Sequence, residues 1–505
     1  MKLIDLIAGT EYSRIAGNSD VAITGLSYDS RRVSSGDLFF STARDPAAAR
    51  ANSAQAFNRG ARAVVMRGGV DEPQRSAGTL VECERPRLLM GVAAARFFNA
   101  PSRRLDLIGV TGTSGKTTTT YLLRSIFEAA GRKAGIIGTL GILTGSHEVH
   151  GGLTTPEAID FEAALAAMEQ EGVRAVAAEI SSIGLEEGRS DQLSLRAAVF
   201  TNLGRDHLDY HGTTANYFAA KLRLFTELLP RSSHPTAVAV VNGDDPYGAT
   251  VLERVRGKKI SFGMGATLNV RPLEASFSTT GISATIGACG RRFAITSPLL
   301  GEINLRNILG ASAVSVALGI DADAVVEGVR RCPGAPGRLE AVPGPAGAKV
   351  LVDYAHKPDA LRAILETLRA LQPRRLICVF GCGGDRDRGK RPIMGEIAGR
   401  LSDLAIITSD NPRSENPHAI IAAIETGIRQ TALHPISEAA ASRNQGYIVE
   451  ADRREAIAIA LRVACRGDIV VIAGKGHEDY QLIGNEKLDF DDRVVVRELT
   501  AAMQG

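Results

Sequence analysis

A chain of 505 residues is too long for one hydrophobic core and calls for about three domains of ordinary size. With 44% hydrophobic and 23% charged residues it has the make-up of a globular protein, and a net charge of +3 from 59 basic and 56 acidic side chains is too small to imply a nucleic-acid surface. No stretch approaches the ~18 uninterrupted apolar residues of a spanning helix, and Asp5 and Glu11 stand where a signal peptide would need an apolar core. The expectation is a cytoplasmic, monomeric protein with small-molecule substrates and no membrane or nucleic-acid partner.

Residues 1 to 102, with "VAITGLSYDSRRVSSGDLFF", read as a small α/β unit, and "NAPSRR" as the linker that follows it. Next, "LDLIGVTGTSGKTTT" takes an apolar strand through glycines into a helix starting near Thr117. Such a turn can aim backbone N–H groups at a phosphate, with Lys116 reaching the terminal phosphates and the Thr117 hydroxyl on Mg²⁺. Five residues separate Gly109 from Gly115, one more than the usual phosphate loop allows. The strands "RAVAAEIS", "AAVFTNLG" and "TAVAVVNG" then alternate with helical runs such as "DFEAALAAMEQEG", which predicts βαβ units on a largely parallel sheet.

Glu179 closes one of these strands, and "VFTNLGRDHLDYHGT" puts His207 after another. "ANYFAAKLRLF" gives Lys221 on a helix, "VVNGDDP" gives Asn242 and Asp244, and "LLGEINLRNILGASAV" places Asn304 and Asn307 on one helix face. Taken singly, each is more often a cap, a turn or a solvated side chain than a ligand. Pro and Gly crowd together in "RCPGAPGRLEAVPGPAGAK", a second boundary. Beyond it, "KVLVDYAHKPD", "RLICVFGCGGDRDRGKRP", "LAIITSDNPRSENP" and "DIVVIAGKGHED" each run from strand to polar loop, so four loops should meet at the carboxyl edge of one sheet. The six cysteines are scattered and lack zinc spacing.

The loop "TGTSGKTTT" resembles the nucleotide loop of the Mur ligases and their folylpolyglutamate synthetase relatives, which join a carboxylate to an amine at the expense of ATP. The resemblance implies three α/β domains: 1–102 for a UDP-linked substrate, 103–334 with a parallel or mixed P-loop-type sheet for ATP, and 335–505, Rossmann-like, for the amino acid. It further implies an ATP site formed by Gly112, Thr113, Ser114, Gly115, Lys116, Thr117, Thr118, Asn242, Asp244, Asn304, Asn307, Arg338 and Asp353. Two Mg²⁺ ions are implied on Thr117, Glu179, His207 and Lys221, the last carried as a carbamate. Lys116, Lys221, Glu179 and His207 are the catalytic group by this resemblance. Ser30, Thr154, Thr155, Ser181 and Arg189 are the expected acceptor contacts.

The tetrapeptide Asp410, Asn411, Pro412, Arg413 resembles the signature of family members that add meso-diaminopimelate to UDP-N-acetylmuramoyl-L-alanyl-D-glutamate in peptidoglycan synthesis. A planar guanidinium suits the distal carboxylate that lysine lacks. By the same resemblance Arg386 shares that carboxylate, and Gly474 and Glu478 meet the amine end. Arg413 argues against a lysine-adding relative, and "LSYDSRRVSSGDLFF", which resembles a UDP-binding module, against a folylpolyglutamate-type enzyme. A non-catalytic scaffold should have lost Lys116, Glu179 or Lys221, and all three are present. Departures from the family pattern fall at Leu153 (usually Asn), Ile183 (His), Glu187 (Gln) and Lys357 (Thr), clustered around the expected acceptor, so a paralogue acting on a modified acceptor is the alternative reading.

Overall fold

The computed structural model describes residues 1–68, 78–145, 147–149 and 151–504. They group into two compact units, Met1–Arg271 with Gly287–Arg291 and Leu309–Gly328, and Pro272–Ile286 with Arg292–Ile308 and Val329–Gly505.

The first unit begins with a five-stranded sheet in the order Arg14–Ala16, Thr79–Glu82, Ala63–Met66, Asp37–Phe40, Gly25–Ser27, parallel except for the first strand. Alternate residues of a strand face opposite ways, and both faces are covered. Leu38, Phe40, Ala63 and Val65 pack with Leu89, Met90 and Ala93 of the helix Pro86–Phe97, while Phe39, Val64 and Met66 pack with Ala49 and Ala56 of the helix Pro46–Asn58. The expected linker is a short 3-10 turn, Pro101–Arg103, entered through left-handed backbone at Asn99 and Ala100.

The unit's second sheet runs Lys258–Phe262, Val238–Asn242, Ala197–Phe200, Asp106–Thr111, Ala175–Glu179, Ala134–Gly138, Gly141–Thr144, His147–Val149. All neighbours are parallel up to Ala134–Gly138, and the last two pairings are antiparallel. Unbroken apolar runs such as "VAVVN" are what a sheet buried on both faces requires. The chain fills one side of Asp106–Thr111 first and then crosses to Ala197–Phe200 on the other, so the strand order reverses around the strand that feeds the glycine loop. Ligands of open α/β sheets bind at such a reversal.

Helix Ala158–Gln170 carries Glu162, whose carboxylate is buried with neither oxygen hydrogen-bonded among the described residues. Burial pushes this carboxyl up to about 7, against a weaker lowering by Arg103. The unfolded chain ionises near the ordinary carboxylate value and the folded chain resists, so this stability is present below pH ~4.5 and lost as pH rises through ~7. Glu162→Gln is therefore expected to gain thermal stability over wild type at pH 8, on the order of a few kcal/mol, and little at pH 4.5. Melting curves of both proteins across that range check it, and a pH-independent difference would show that Glu162 is not the titrating group.

The second unit is built on a six-stranded sheet in the order Glu340–Val342, Lys349–Asp353, Ile469–Ala473, Leu376–Phe380, Leu404–Ile407, Gly446–Val449, parallel except at Glu340–Val342. One face buries Leu351, Cys378, Ala405 and Val471, the other Val350, Ile377, Leu404 and Val470. The four expected loops all leave this sheet at its carboxyl edge.

Candidate functional site

In the first unit, Gly109 is a strand residue against Ile180 and Leu195, so the wide glycine spacing belongs partly to the strand and only Gly112 and Gly115 shape the turn. Both have positive φ, +148° and +84°, and a Cβ on Gly112 would collide with Thr201 Oγ1. The Thr113 amide donates to Asn202 O and the Ser114 amide to Asn202 Oδ1, each at 2.9 Å. Thr117 and Thr118 are buried in the first turn of the helix Lys116–Ala129. Lys116 turns back on the loop, its Nζ donating to Gly112 O at 2.9 Å and Thr113 O at 3.0 Å.

Lys221 meets the same carbonyl. The helix Thr214–Arg223, capped by Thr213 Oγ1, aims Lys221 inward, and its Nζ donates to Gly112 O at 2.9 Å. Burial first, and Lys116 second, hold the Lys221 amine well below the usual lysine pKa. One turn earlier Tyr217 packs its ring 4.5 Å from that amine and sets its hydroxyl 3.0 Å from Thr113 Oγ1. The His207 and His211 rings lie 6.0 and 5.4 Å from the Tyr217 ring, and His207 adopts left-handed backbone at φ +52°. Sequence reasoning misses Tyr217, although its place four residues before Lys221 is a readable signal.

Glu179 ends the neighbouring strand in register with Val110. Its carboxylate is buried and accepts from Thr139 N at 3.0 Å and Thr139 Oγ1 at 3.1 Å, both neutral donors. Nothing in the sequence points to Thr139. Among the described residues no three His, Cys, Asp or Glu side chains gather into a metal cluster. The expected set holds only two of those types, with a hydroxyl and a lysine.

Four of the five expected acceptor residues are joined. Thr154 Oγ1 lies 3.1 Å from Thr139 Oγ1, Thr155 Oγ1 donates to Glu179 O at 3.0 Å, and Ser181 N donates to Thr155 Oγ1 at 2.8 Å. Arg189 Nη1 donates to Thr155 O at 3.2 Å. Ser30 stands outside this chain, its hydroxyl on Gln55 Oε1. Glu187, where the family usually has Gln, pairs with both Arg189 and Arg87, and both arginines also pair with Glu157. The extra carboxylate is thus balanced by a second guanidinium. Leu153 is exposed.

Asn242 is buried and donates to Thr201 O at 2.7 Å, while Asp244 accepts from the Met264 and Gly265 amides at 2.6 and 3.0 Å. Both order the loops that end the sheet.

In the second unit, Asn304 and Asn307 share a helix face as expected, with Asn307 Nδ2 donating to Asn304 Oδ1 at 3.2 Å. Asp353 is buried; burial raises its pKa, and Arg338 and the Leu339 and Ala355 amides oppose that. Arg338 stacks over Tyr354 at 4.8 Å, and Tyr354 packs against His477 at 5.0 Å. Burial, then Arg338 and Arg493, bring His477 down to about 4.

Lys390 Nζ donates to His356 O, Gly384 N to Asn411 O and Gly474 N to Asp353 O, so the four loops are tied to one another. Asp410 and Asn411 are buried, and Pro412 O lies so close to Gly384 that a Cβ there would clash. Arg413 has φ +51° and its Nη1 donates to Gly384 O at 2.8 Å. Gly474 lies beside Asp410, Asn411 Nδ2 donates to Glu478 Oε2 at 3.0 Å, and Arg386 is exposed two residues after Gly384. Burial raises the Glu478 pKa, against a lowering by Lys475.

A glycine loop between a parallel strand and a helix, flanked by a buried carboxylate and two lysines, is the arrangement of a phosphate-loop α/β protein. Residues 110–315 match the Mur ligase middle domain and residues 337–476 the Mur ligase glutamate ligase domain. The chain belongs to the Mur ligase family. It is 43% identical over 515 residues to a UDP-N-acetylmuramoyl-L-alanyl-D-glutamate--2,6-diaminopimelate ligase of Geobacter metallireducens, covering 100% of both chains. To the ligase of that name from Geobacter sulfurreducens it is 44% identical, over 98% of this chain and 97% of the relative. A solved ligase of the same name aligns with TM-score 0.71 and 33% identity over 100% of this chain and 99% of its own. MurF from Acinetobacter baumannii shares the fold, with TM-score 0.63 and 18% identity over 99% and 97% of the two chains.

Proposed function

We propose that the protein is an ATP-dependent ligase that adds meso-diaminopimelate to UDP-N-acetylmuramoyl-L-alanyl-D-glutamate in peptidoglycan synthesis. The end-to-end 43% identity to a ligase so named carries the reading. The amino-acid end is supported by the Asp410–Arg413 loop lying against the Gly474–Glu478 loop. We assign segment 1–102 to the UDP-linked acceptor, 103–334 to ATP and 335–505 to the amino acid. The reading makes it a cytoplasmic monomer with small-molecule substrates. No helix among the described residues is long and apolar enough to cross a membrane.

In the first step the acceptor's carboxylate oxygen attacks the γ-phosphorus of ATP, giving an acyl phosphate and ADP. The protein's part is to position and to neutralise charge. Gly112 to Thr118 wrap the phosphates, and Lys116 exchanges its loop carbonyls for phosphoryl oxygens. Asn242, Asp244, Asn304, Asn307, Arg338 and Asp353 complete the nucleotide's contacts. Thr154, Thr155, Ser181 and Arg189, with Ser30, orient the acceptor. In the second step the amine of diaminopimelate attacks the acyl carbon, phosphate leaves and the amine loses a proton. Arg386 and Arg413 hold the distal carboxylate, Gly474 and Glu478 meet the amine end, and Asp410, Asn411 and Pro412 shape the loop that receives the amino acid.

Glu179, buried among neutral donors, suits a hard cation. Thr117, His207 and Lys221 complete a set for two Mg²⁺ ions, which when bound supply positive charge against the phosphoryl oxygens. An ammonium cannot ligate a cation. A neutral amine is a poor ligand for a hard cation, so Lys221 joins that set as a carbamate, formed when its neutral amine adds to CO₂ and releases a proton.

ADP release should require acceptor and diaminopimelate together. A coupled assay omitting each component in turn checks this, and equal release from ATP alone would refute the ligase reading.

A further inference from the structure

Lys475 is fully buried, its backbone turned inward between Gly474 at φ +122° and Gly476 at φ +56°. A buried ammonium is costly unless it is paired. This one donates to Asn411 Oδ1 at 3.1 Å and lies 3.7 Å from both Asp410 Oδ1 and Glu478 Oε2. Asn411 Oδ1 takes a second hydrogen bond from Leu482 N at 3.0 Å. Two donors on that oxygen fix the amide's orientation, so Nδ2 faces Glu478 Oε2, to which it donates at 3.0 Å. Oε2 is thereby occupied, and no hydrogen bond is made to Oε1 among the described residues.

The loop bases are pinned by other means. Arg453, wholly buried with Asp492, reaches Ser409 O at 3.4 Å and Ala473 O at 3.2 Å, the residues just ahead of Asp410 and Gly474. Loss of the Lys475 charge therefore leaves the two loops in place, with Leu482 N still on Asn411 Oδ1, while Glu478 loses the cation 3.7 Å from its Oε2.

We propose that Lys475 is a positioning residue for the incoming amino acid: together with Asn411 it holds the Glu478 carboxylate by Oε2, so that Oε1 is presented to the substrate's distal ammonium. The proposal rests on the ligase reading above. Lys475→Met should raise KM for diaminopimelate roughly tenfold or more, the scale of a lost hydrogen bond to a charged group, with KM for ATP and for the acceptor unchanged within about twofold. In the Glu478→Gln background the same substitution should add little, because Lys475 acts through Glu478. Lys475→Ala should recover part of its affinity in methylammonium or ethylammonium chloride and none in sodium chloride. Should Lys475→Met not fold, Lys475→Gln, which removes the charge and keeps a donor, must give the same selective rise. An unchanged KM for diaminopimelate, an equal rise for all three substrates, or full additivity with Glu478→Gln overturns the positioning role while the ligase reading stands. A wild-type protein that forms no amide overturns that reading itself.

Discussion

Lys221→Ala is expected to lose ligation by about 10²- to 10³-fold, the scale of removing one preorganised group that stabilises charge at a reacting centre. The side chain is buried and shares the Gly112 carbonyl with Lys116, so as an ammonium it adds like charge beside the cation the phosphate loop already supplies. As a carbamate the same side chain keeps one N–H for Gly112 O and gains two anionic oxygens, reversing the sign of its interaction with Lys116. Short carboxylic acids should therefore restore part of the activity of Lys221→Ala by returning those oxygens, and short amines should not. Intact mass of the wild-type protein held in bicarbonate should carry the added carboxylate, and that of Lys221→Ala should not. Rescue by amines would show that a free lysine does the work.

Arg413→Ala is expected to raise KM for diaminopimelate by about 10- to 100-fold, from loss of a charge-assisted pair of ~1.5–3 kcal/mol. KM for ATP should barely change. The loop should keep its shape, because Arg413 N donates to Leu482 O at 3.0 Å and Arg413 O accepts from Gly484 N at 2.8 Å, bonds that truncation leaves intact. Arg413→Lys keeps the charge but not the two-pronged geometry, and should fall between wild type and alanine. Steady-state kinetics with each substrate varied in turn decide it. An unchanged KM for diaminopimelate would place Arg413 away from the amino acid.

Much of this was legible in the sequence, because the signals were local. The strand, glycine turn and helix of the phosphate loop follow from apolar periodicity and two turn residues, and the four C-terminal loops follow from strand-to-polar transitions whose strands proved to share one parallel sheet. The Asn304 and Asn307 pair was readable from helical spacing alone. What stayed hidden depends on pairing between distant segments. Gly109 looks like a loop glycine until the register with the strand Ala175–Glu179 places it inside the sheet. Thr139 matters only because its strand ends two strands away from the glycine loop, beside Glu179. Glu187 reads as an unexplained acidic departure, yet Arg87, a hundred residues earlier in the chain, neutralises it. Lys475 reads as one more basic residue in a glycine-rich turn, and its burial among Asp410, Asn411 and Glu478 is set by tertiary contacts.

Mass spectrometry of one incubation shows whether this chain forms an amide between diaminopimelate and the D-glutamyl carboxylate of its nucleotide acceptor. With ATP, Mg²⁺, UDP-N-acetylmuramoyl-L-alanyl-D-glutamate and meso-diaminopimelate, one new product is expected, the two substrates joined less one water, with ADP and phosphate formed in equal amounts. Replacing diaminopimelate by L-lysine should leave the acceptor almost unconsumed. Release of ADP without the new amide, or equal incorporation of lysine, would contradict that expectation.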